Sequence, residues 1–343
     1  MANIHDVARV AGVSISTVSY ALSGKRSVSE RTRERIDSAV RELGYLPNAA
    51  GRMLAGARTQ ILAVTAPLRA DTYAPAHMAF VLAVATAARR YDYDILLLTE
   101  DEATSGLQRV TSSRLVDGII VLDVAIDDER IEVIRNLSTP SVLVGIPGEP
   151  AGLTCVDLDF EAAARLSADT LADAGHRSVG LLGHPAAVYE RGSNFAHRFR
   201  SAFLEHARAR GLEAAFAMPG PGPAGAADAV DTLIRSGAGA TGLVMHCEES
   251  LQTRALARIA EAGLSIPGDL SVLSACSSFD TSSFSPPLDV IPLVAADSCD
   301  SAVALVMAAL ESRSEPHVEL VAPRFTSHGS VAPPRVSLPP AAA

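Results

Sequence analysis

The first 58 residues of the chain carry hydroxyl, aromatic and guanidinium side chains at spacings suited to nucleic-acid contacts. Ile15, Ser16 and Thr17 are followed by Tyr20 about one helical turn later. Hydroxyl groups can bond to several base edges, and an isoleucine can touch a thymine methyl group. Four side chains that could hold phosphates follow in a short run: Ser29, Arg31, Thr32 and Arg33. Phosphate contacts position a protein on DNA without reading its sequence.

These side chains lie where basic residues outnumber acidic ones. Residues 1–58 hold nine lysine or arginine and five acidic side chains, a net charge of +4, whereas the 343-residue chain carries −10. The other 285 residues therefore carry −14. A small basic segment on a large acidic one indicates that the segment meets a polyanion and the rest does not. Chance clustering of arginines is the alternative that charge alone leaves open.

Two short helices joined by a glycine turn would present this first set of side chains. Apolar residues between 7 and 11 suit one face of a first helix, which Gly12 ends because glycine accepts a positive φ. Ser14 can cap a second helix that contains Val18 and Leu22. The pattern predicts a helix-turn-helix, in which the second helix enters the major groove.

A third helix is predicted over residues 30–43. Ile36, Val40 and Leu43 have the spacing of an inward face, and Gly44 follows as the stop. From the residues alone, the alternative of a helix-turn-helix that binds protein stays open.

Beyond residue 59 the chain alternates between apolar runs and amphipathic stretches. The runs that predict strands lie at 61–66, 94–99, 118–122, 141–145, 178–183, 242–246 and 271–275. The stretches that predict helices include 76–91, 159–174, 195–211, 248–262 and 295–311. Such alternation is typical of parallel sheets covered on both faces, and its length favours two α/β lobes. Ligands of such folds bind at the carboxyl ends of the strands, here in a cleft between the lobes.

Residues 3–56 resemble the DNA-binding head of the LacI/GalR family of bacterial repressors. The resemblance rests on the runs DVARVAGVSISTVSYALSG and VSERTRERIDSAVRELGYLPNAAGRMLAG. It implies a helix-turn-helix domain over 1–47, with Tyr45 among its DNA contacts, and a hinge helix or linker over 48–58. In the family this hinge folds only on operator DNA and lies in the minor groove beside its dimer partner. By motif, Asn48 opens the hinge and Leu54 is the leucine that wedges the central base step.

Two positions depart from the family pattern. Tyr20 stands where the family often has arginine, which implies a different base preference there. Gly51 stands where alanine is common in the hinge, and glycine costs roughly 1 kcal/mol inside a helix. The free hinge should therefore be less ordered than in other members.

A weaker resemblance continues over 59–330, which looks like the type I periplasmic-binding-protein fold. It rests on LADAGHRSVGLLG, IPGDLSVLS and SPPL. The implied fold class is α/β, an all-α head plus a two-lobed core that binds an effector and dimerises. Because family chains cross between lobes three times, the resemblance implies one lobe of about 60–158 plus 291–322 and another of 162–288 plus a strand near 324–330. The Pro/Ala-rich tail, 331–343, is expected to be disordered.

Most of the charged residues that bind the effector in the family are absent from the corresponding positions of this chain. The asparagine–aspartate pair falls on His246 and Cys247, or on Cys247 and Glu248 if the chain is aligned to a His-Asn-Glu variant. The usual arginine falls on Phe195, and the common aspartate after the fourth strand falls on Gly145. The candidate effector contacts are the polar and aromatic residues that stand nearby: Arg69, Asp71, Tyr73, Tyr189, Arg191, Asn194, Phe195, His246, Glu248, Cys276 and Asp280. Either these bind a sugar, with rings stacked on a pyranose face, or the effector is a less polar metabolite.

Several function classes find little support in the sequence. It has no nucleophile elbow, metal-binding helix or well-placed phosphate loop, so we expect no cofactor, no metal and no enzymatic activity. No apolar run reaches the roughly 18 residues of a membrane span, and no signal peptide is apparent, which favours the cytoplasm. Four scattered cysteines are typical of reduced, mostly buried thiols.

The expected function is that of a sequence-specific transcriptional repressor of carbohydrate-related genes. The expected partners are double-stranded operator DNA with a palindromic site, a second copy of the chain, and a small carbohydrate effector that releases the DNA. The alternatives are a regulator that responds to a non-sugar metabolite or acts with a corepressor, a solute-binding protein, and an enzyme.

Overall fold

A computed structural model describes most of the chain. The described residues are 2–23, 27–45, 58–69, 73–99, 103–222, 224–235, 237, 239–312 and 315–335. Within them, no helix is long and apolar enough to cross a membrane.

The described part of the head contains three helices. They are α1 (Ile4–Ala11), α2 (Ile15–Ser23) and α3 (Glu30–Leu43). Asn3 caps α1 in a capping box with Asp6, and Gly12 ends it with a φ of 63°. The core under the helices is small: Val7, Ala8, Ala11, Val18, Ile36, Ala39 and Tyr45.

The burial of the residues predicted to face inward in the head differs slightly from the prediction. Val18 and Ile36 are fully buried, and Val40 and Leu43 pack at the edge of the core. Leu22, which the α2 pattern groups with Val18, is instead 37% exposed in the last turn of the helix.

Beyond the head, two parallel sheets form two lobes. Their strands are β1 (Ile61–Thr65), β2 (Asp94–Leu98), β3 (Gly118–Val121), β4 (Ser141–Val144), β5 (Thr154–Leu158), β6 (Ser178–Leu182), β7 (Glu213–Ala217), β8 (Gly242–Met245), β9 (Ser271–Ser277), β10 (Asp289–Pro292) and β11 (Val318–Val321). The first sheet has the order β11-β5-β4-β3-β1-β2 and the second β10-β9-β8-β6-β7. This confirms the predicted fold class, although the apolar runs in the sequence missed β5, β7, β10 and β11.

Helices cover both faces of each sheet. They are α4 (Ala74–Arg89), α5 (Ala103–Ser112), α6 (Arg130–Arg135), α7 (Phe160–Asp173), α8 (Ala186–Glu190), α9 (Asn194–Ala209), α10 (Gly225–Arg235), α11 (Glu249–Glu261) and α12 (Ala295–Glu311). On the first sheet α4 and α12 bury one face, and α5 and α6 the other. On the second, α7 and α9 lie opposite α10 and α11. Four buried cysteines are free thiols within these layers.

The chain returns to the second lobe after β11. The strand expected near 324–330 is wrong: one bridge joins Thr326 to Val290, and the segment otherwise runs as irregular chain. The prediction that the tail is disordered is also wrong for residues 331–335. The Ala332 N–H donates to Ser271 Oγ at 3.0 Å and Arg335 pairs with Asp269 at 2.6 Å, which holds this segment on the lobe. Residues 336–343 lie outside the described part of the chain.

Candidate nucleic-acid interface and interlobe cleft

The amino-terminal turn of α2 presents the predicted base-contacting side chains. Ser14 caps the helix by accepting the Thr17 N–H at 3.2 Å, and its Oγ lies 2.8 Å from the hydroxyls of Ser16 and Thr17. Ile15 is 41% exposed and Tyr20 37% exposed, although both are large and partly apolar. The head therefore offers two large side chains and three hydroxyls near one helix start.

At the start of α3, two of the predicted phosphate contacts also stabilise the helix. Ser29 accepts the Thr32 N–H at 3.3 Å, and the two hydroxyls lie 2.8 Å apart. Arg33 donates to the Ala21 carbonyl at 3.4 Å, while Arg31 is exposed. Contacts of Ser29 and Thr32 with DNA phosphates would therefore compete with the hydrogen bonds that cap the helix.

Three predicted DNA contacts do not lie on a described surface. Tyr45 is 8% exposed and its ring packs in the head core, which it stabilises, so its contact with DNA stays a prediction. Asn48 and Leu54 lie outside the described residues, as do all hinge positions before Arg58.

A cleft separates the two lobes at the carboxyl ends of their strands. The hydrogen bonds that join the lobes beside it include the following three. Tyr73 donates to Glu249 at 3.3 Å, Ile126 N–H to the Gly192 carbonyl at 2.8 Å, and Asn194 Nδ2 to the Ile146 carbonyl at 2.6 Å. The cleft is thus bounded by residues far apart in the chain.

An outer cavity of about 120 Å³ lies between the lobes. Six of the predicted effector residues line it: Tyr73, Arg191, Phe195, His246, Glu248 and Cys276. We keep the name outer cavity for this space. The sequence therefore predicted part of the lining of this cavity, mostly on the second lobe.

Four other predicted contacts are placed differently. Arg69 donates to Asp123 at 3.2 Å and is not among the residues that line the outer cavity. Tyr189 lies behind the wall, 8% exposed and edge-on to Phe216. Asn194 is engaged in its bond to the Ile146 carbonyl and lines a groove outside the cleft, and Asp280 caps a short turn, with its Oδ1 accepting the Ser282 N–H. Asp71 lies outside the described residues.

An inner cavity of about 140 Å³ adjoins the outer one on the side of the first lobe. We call this second space the inner cavity. Its walls include Phe80, Leu122, Val124, Val144 and Leu293. The sequence analysis missed this space. The strand and helix residues that line most of it have the pattern of ordinary core residues.

Asp123 is a charged centre that the sequence analysis also missed. It lies two residues after the end of β3, which is the position where a binding carboxylate would be sought in a parallel sheet. Burial alone would raise its pKa, but His77 at 3.5 Å and the guanidinium groups of Arg191 and Arg69 lower the pKa below its ordinary value. Asp123 is therefore a carboxylate that is held charged between the lobes.

Asp157 and Arg198 form a second buried ion pair. Arg198 donates to Asp157 at 2.6 Å and to both Glu161 oxygens at 2.7 and 2.6 Å. Burial raises the pKa of Asp157 to about 7 against the opposing effect of Arg198. This pair joins β5 to α9 and separates the inner cavity from a surface groove.

Two histidines of the cleft, His184 and His246, are kept neutral. Their rings lie 4.8 Å apart, and His246 also stacks on Phe199 at 4.0 Å. Burial lowers the pKa of His184 to about 4, with Arg191 adding to the effect, and burial beside His184 lowers the pKa of His246 well below its ordinary value. Neutral imidazoles can both donate and accept hydrogen bonds, which suits hydroxyl ligands. No group of three or more potential metal ligands occurs among the described residues.

Comparisons with known proteins match both parts of the chain. Residues 3–48 match the family described as bacterial regulatory proteins, lacI family, and residues 168–331 match the periplasmic binding protein-like domain. Catabolite control protein A of Staphylococcus xylosus is 32% identical over 183 residues, which are 52% of this chain and 55% of that protein. The HTH-type transcriptional regulator RegA of Clostridium saccharobutylicum is 32% identical over 184 residues, 53% of this chain and 54% of that protein. The chain thus spans about half the length of the curated relatives it matches.

Solved structures with the same architecture match along nearly the whole chain. The lac repressor dimer bound to operator and the anti-inducer ONPF has a TM-score of 0.80 at 20% identity, over 96% of this chain and 99% of that one. The complex of the transcriptional regulator CelR with cellobiose has a TM-score of 0.67 at 21% identity, over 96% and 100%. At these identities the likeness shows the fold alone.

Proposed function

We propose that this chain, which belongs to the lacI family of bacterial regulatory proteins, represses transcription by binding a palindromic operator as a homodimer, and that a carbohydrate effector releases it. The observation that carries the proposal is the exposed start of α2 on a basic helix-turn-helix, joined to a cleft between two α/β lobes. In this account α2 reads base edges in the major groove with Ile15, Ser16, Thr17 and Tyr20, and Arg31 and Arg33 hold phosphates. Such a protein acts in the cytoplasm, where the chromosome lies.

Selection from a random DNA library with the full chain tests the proposed reading of DNA. We expect a two-fold symmetric site whose half-sites are recovered repeatedly. Tyr20→Arg should change the preferred base at one position of each half-site, because a guanidinium favours guanine, with about 1–3 kcal/mol of discrimination. Arg31→Gln is the matched control: it should weaken every sequence alike. Unchanged selection by Tyr20→Arg would remove Tyr20 from the reading of bases.

The hinge, residues 48–58, is proposed to wedge the centre of the operator through Leu54. This rests on the resemblance of the motif alone. Leu54→Ala should then lose more affinity for the selected site than for unrelated DNA, since an apolar wedge acts by opening a specific base step. An equal loss on both would contradict the wedge.

An apolar face on α4 supports the proposed homodimer. Met78 and Leu82 stand one turn apart and are 36% and 62% exposed. The lac repressor, which shares the fold, is a dimer on its operator. Leu82→Glu should shift the chain toward monomer in sedimentation and weaken its binding to the palindrome. Met218→Glu, also at an exposed apolar residue, is the control and should leave the assembly unchanged.

A thermal-unfolding screen of the full chain against sugars, sugar phosphates, nucleosides and small acids tests the effector class. The structural relative CelR binds cellobiose, and the outer cavity here combines rings with donors and acceptors. A ligand at 100 times its Kd should stabilise the fold by about 2.7 kcal/mol. A non-sugar metabolite is the second candidate, favoured by the apolar walls of the inner cavity, and a hit confined to the acids or nucleosides would select it.

A further inference from the structure

One loop of the first lobe touches both the cleft and the second lobe. It comprises residues 122–128 and joins β3 to α6, so we call it the β3–α6 loop. Asp123 of this loop lines both the inner and the outer cavity. Two residues later, Ala125 forms an antiparallel bridge with Ser193 of the second lobe. A displacement of the loop would therefore change the cleft wall and the contact between the lobes together.

Backbone groups make the contact between this loop and the second lobe. The Ile126 N–H donates to the Gly192 carbonyl at 2.8 Å, and the Asn194 N–H donates to the Val124 carbonyl at 3.4 Å. We call these two hydrogen bonds the interlobe bridge. Because backbone groups form the bridge, its geometry follows from the path of the loop and needs no particular side chain at these positions.

The Arg130 side chain is the centre of the hydrogen bonds that hold the loop. It is 3% exposed, and its Nε and Nη2 donate to the Asp128 carboxylate at 2.8 and 2.6 Å. Its Nη1 donates to Thr65 Oγ1 and to the Leu122 carbonyl, each at 3.0 Å. Its Nη2 also donates to the Asp123 carbonyl at 2.8 Å. A guanidinium has five N–H donors, and here all five have an acceptor. Arg130 thus joins the end of β1 to both ends of the β3–α6 loop.

Asp128 connects this arginine to the residue that pairs with the second lobe. The carboxylate accepts the Ala125 N–H at 3.1 Å and the Arg130 N–H at 3.1 Å. Burial alone would raise the pKa of Asp128, but the Arg130 side chain and these two N–H groups lower it below its ordinary value. The pair is therefore charged and fully bonded, and removing one member would leave the other buried without its partner.

A lysine could not take the place of Arg130 in this network. The acceptors are one hydroxyl, two carbonyl groups and one carboxylate, and they belong to three separate stretches of chain. An ammonium group has three donors on a single atom, whereas a guanidinium spreads five over a planar fork. Arg130→Lys would keep the positive charge and lose part of the connection between β1 and the loop.

We propose that Arg130 is a positioning residue of the cleft, which fixes the β3–α6 loop and thereby keeps the interlobe bridge formed. Arg130 lines neither cavity, so it acts through the loop and not on a ligand. The inference concerns the bridge itself for any ligand of the cleft, and its consequence for DNA rests on the proposed function. A residue that only stabilised the first lobe would leave the amide groups of the second lobe unaffected.

Hydrogen exchange at single amides of the full chain tests the proposal in Arg130→Lys. The amides of Ile126 and Asn194, which donate the two bonds of the interlobe bridge, should exchange at least tenfold faster. Asn194 is the decisive position, because it belongs to the second lobe and makes no bond to Arg130. The Gly183 N–H, which donates to the Ala217 carbonyl within the second lobe, should keep its rate within 1.5-fold.

Arg135→Lys is the matched control. Arg135 lies on the same helix, α6, and donates to the carbonyls of Glu149 and Ala151 at 2.7 and 3.4 Å, outside the β3–α6 loop. Both bridge amides should then exchange within 1.5-fold of the unsubstituted chain. Unchanged exchange of Asn194 in Arg130→Lys, or an equal acceleration of Gly183, would overturn the proposal, because stability of the fold would then account for the role of Arg130.

Thr65→Val is a milder variant, which also serves if Arg130→Lys does not fold. Thr65 is fully buried, and its hydroxyl accepts from Arg130. Valine has a similar shape without the hydroxyl, and the ion pair with Asp128 stays in place. The amides of Ile126 and Asn194 should exchange at least threefold faster, again with Gly183 unchanged. Unchanged rates at both bridge amides would contradict the proposal.

A second measurement on Arg130→Lys separates this inference from the proposed function. The Kd for the selected palindrome should change at least threefold if the cleft controls the head. If the bridge amides exchange faster while this Kd is unchanged, the positioning role stands and the proposed control of DNA binding by the cleft fails. If the chain selects a palindrome and the bridge amides are unchanged, the positioning role fails and the proposed DNA binding is unaffected.

Discussion

The head and the cleft are held together over very different distances along the chain. In the head, caps join residues three apart, as from Ser29 to Thr32, and the core lies within residues 7–45. In the cleft, Tyr73 meets Glu249 across 176 residues, and Asp123 meets Arg69 across 54. The DNA-contacting surface proposed for the head can thus be built from one short segment of the chain. The cleft instead depends on the assembly of segments that are far apart in the sequence. The two regions should accordingly respond to different perturbations.

Breaking the buried ion pair of the core should give the largest effect. Arg198→Met removes the partner of Asp157 and leaves a carboxylate buried, which should lower the free energy of unfolding of the lobes by about 3–5 kcal/mol. Calorimetry of the full chain measures the loss as a shift of the main transition. Arg165→Met, at an exposed arginine beside the same groove, is the control and should change little. A loss below 1 kcal/mol would mean that the pair does not hold the cleft wall.

Truncating the head core should instead remove DNA binding while the lobes stay folded. Ile36 is fully buried, so Ile36→Ala should cost about 2–5 kcal/mol, which is as much as so small a core usually provides. Affinity for the selected duplex should collapse, while ligand binding and the main thermal transition stay unchanged. Val10→Ala, at a 40% exposed position of α1, should cost about 0.5 kcal/mol or less. Loss of ligand binding in Ile36→Ala would show that the two regions do not fold separately.

Acidification should affect the cleft more than the head. Histidines titrate near pH 6.5 when unfolded, but burial lowers the pKa of His246 well below that value in the folded chain. Below pH 6.5 the unfolded chain therefore binds a proton that the folded chain does not, and stability falls with pH by up to about 1.4 kcal/mol per unit. Asp157, whose pKa burial raises to about 7, acts in the opposite direction over part of this range.

A variant isolates the histidine contribution to this pH dependence. His246→Gln should remove up to about 1.4 kcal/mol per pH unit from the slope of the unfolding free energy between pH 6.5 and 5. His328→Gln, at an exposed histidine, should leave the slope unchanged. An unchanged slope in His246→Gln would mean that the buried imidazole titrates in the folded state as it does in water.

The contrast between the regions also sets what the sequence can predict. The α2 face follows from Gly12, Ser14 and the spacing of Val18, because turn chemistry and helical period act locally. The burial of Tyr45 was not predicted, because the motif that assigned its DNA contact carries no information on burial.

The cleft was predicted only in part, for physical reasons. Arg191 and His246 stand at strand or helix ends, where binding residues are sought, and they do line the outer cavity. His77 lies on a helix, Asp157 within a strand, and neither shows its role until the lobes are assembled. Of the inner cavity the sequence indicates only Gly145 and Phe195, which align with effector-binding positions of the family, since Val124 and Val144 look like any other core residues.

The most direct test of the account is the affinity of the full chain for its selected palindrome, with and without a saturating amount of the ligand that gives the largest thermal shift. If the cleft regulates the head, the Kd for DNA should change at least fivefold, and the DNA should change the Kd of the ligand by the same factor. A ratio within twofold, with the ligand shown to remain bound on DNA, would contradict the proposal that the cleft controls DNA binding.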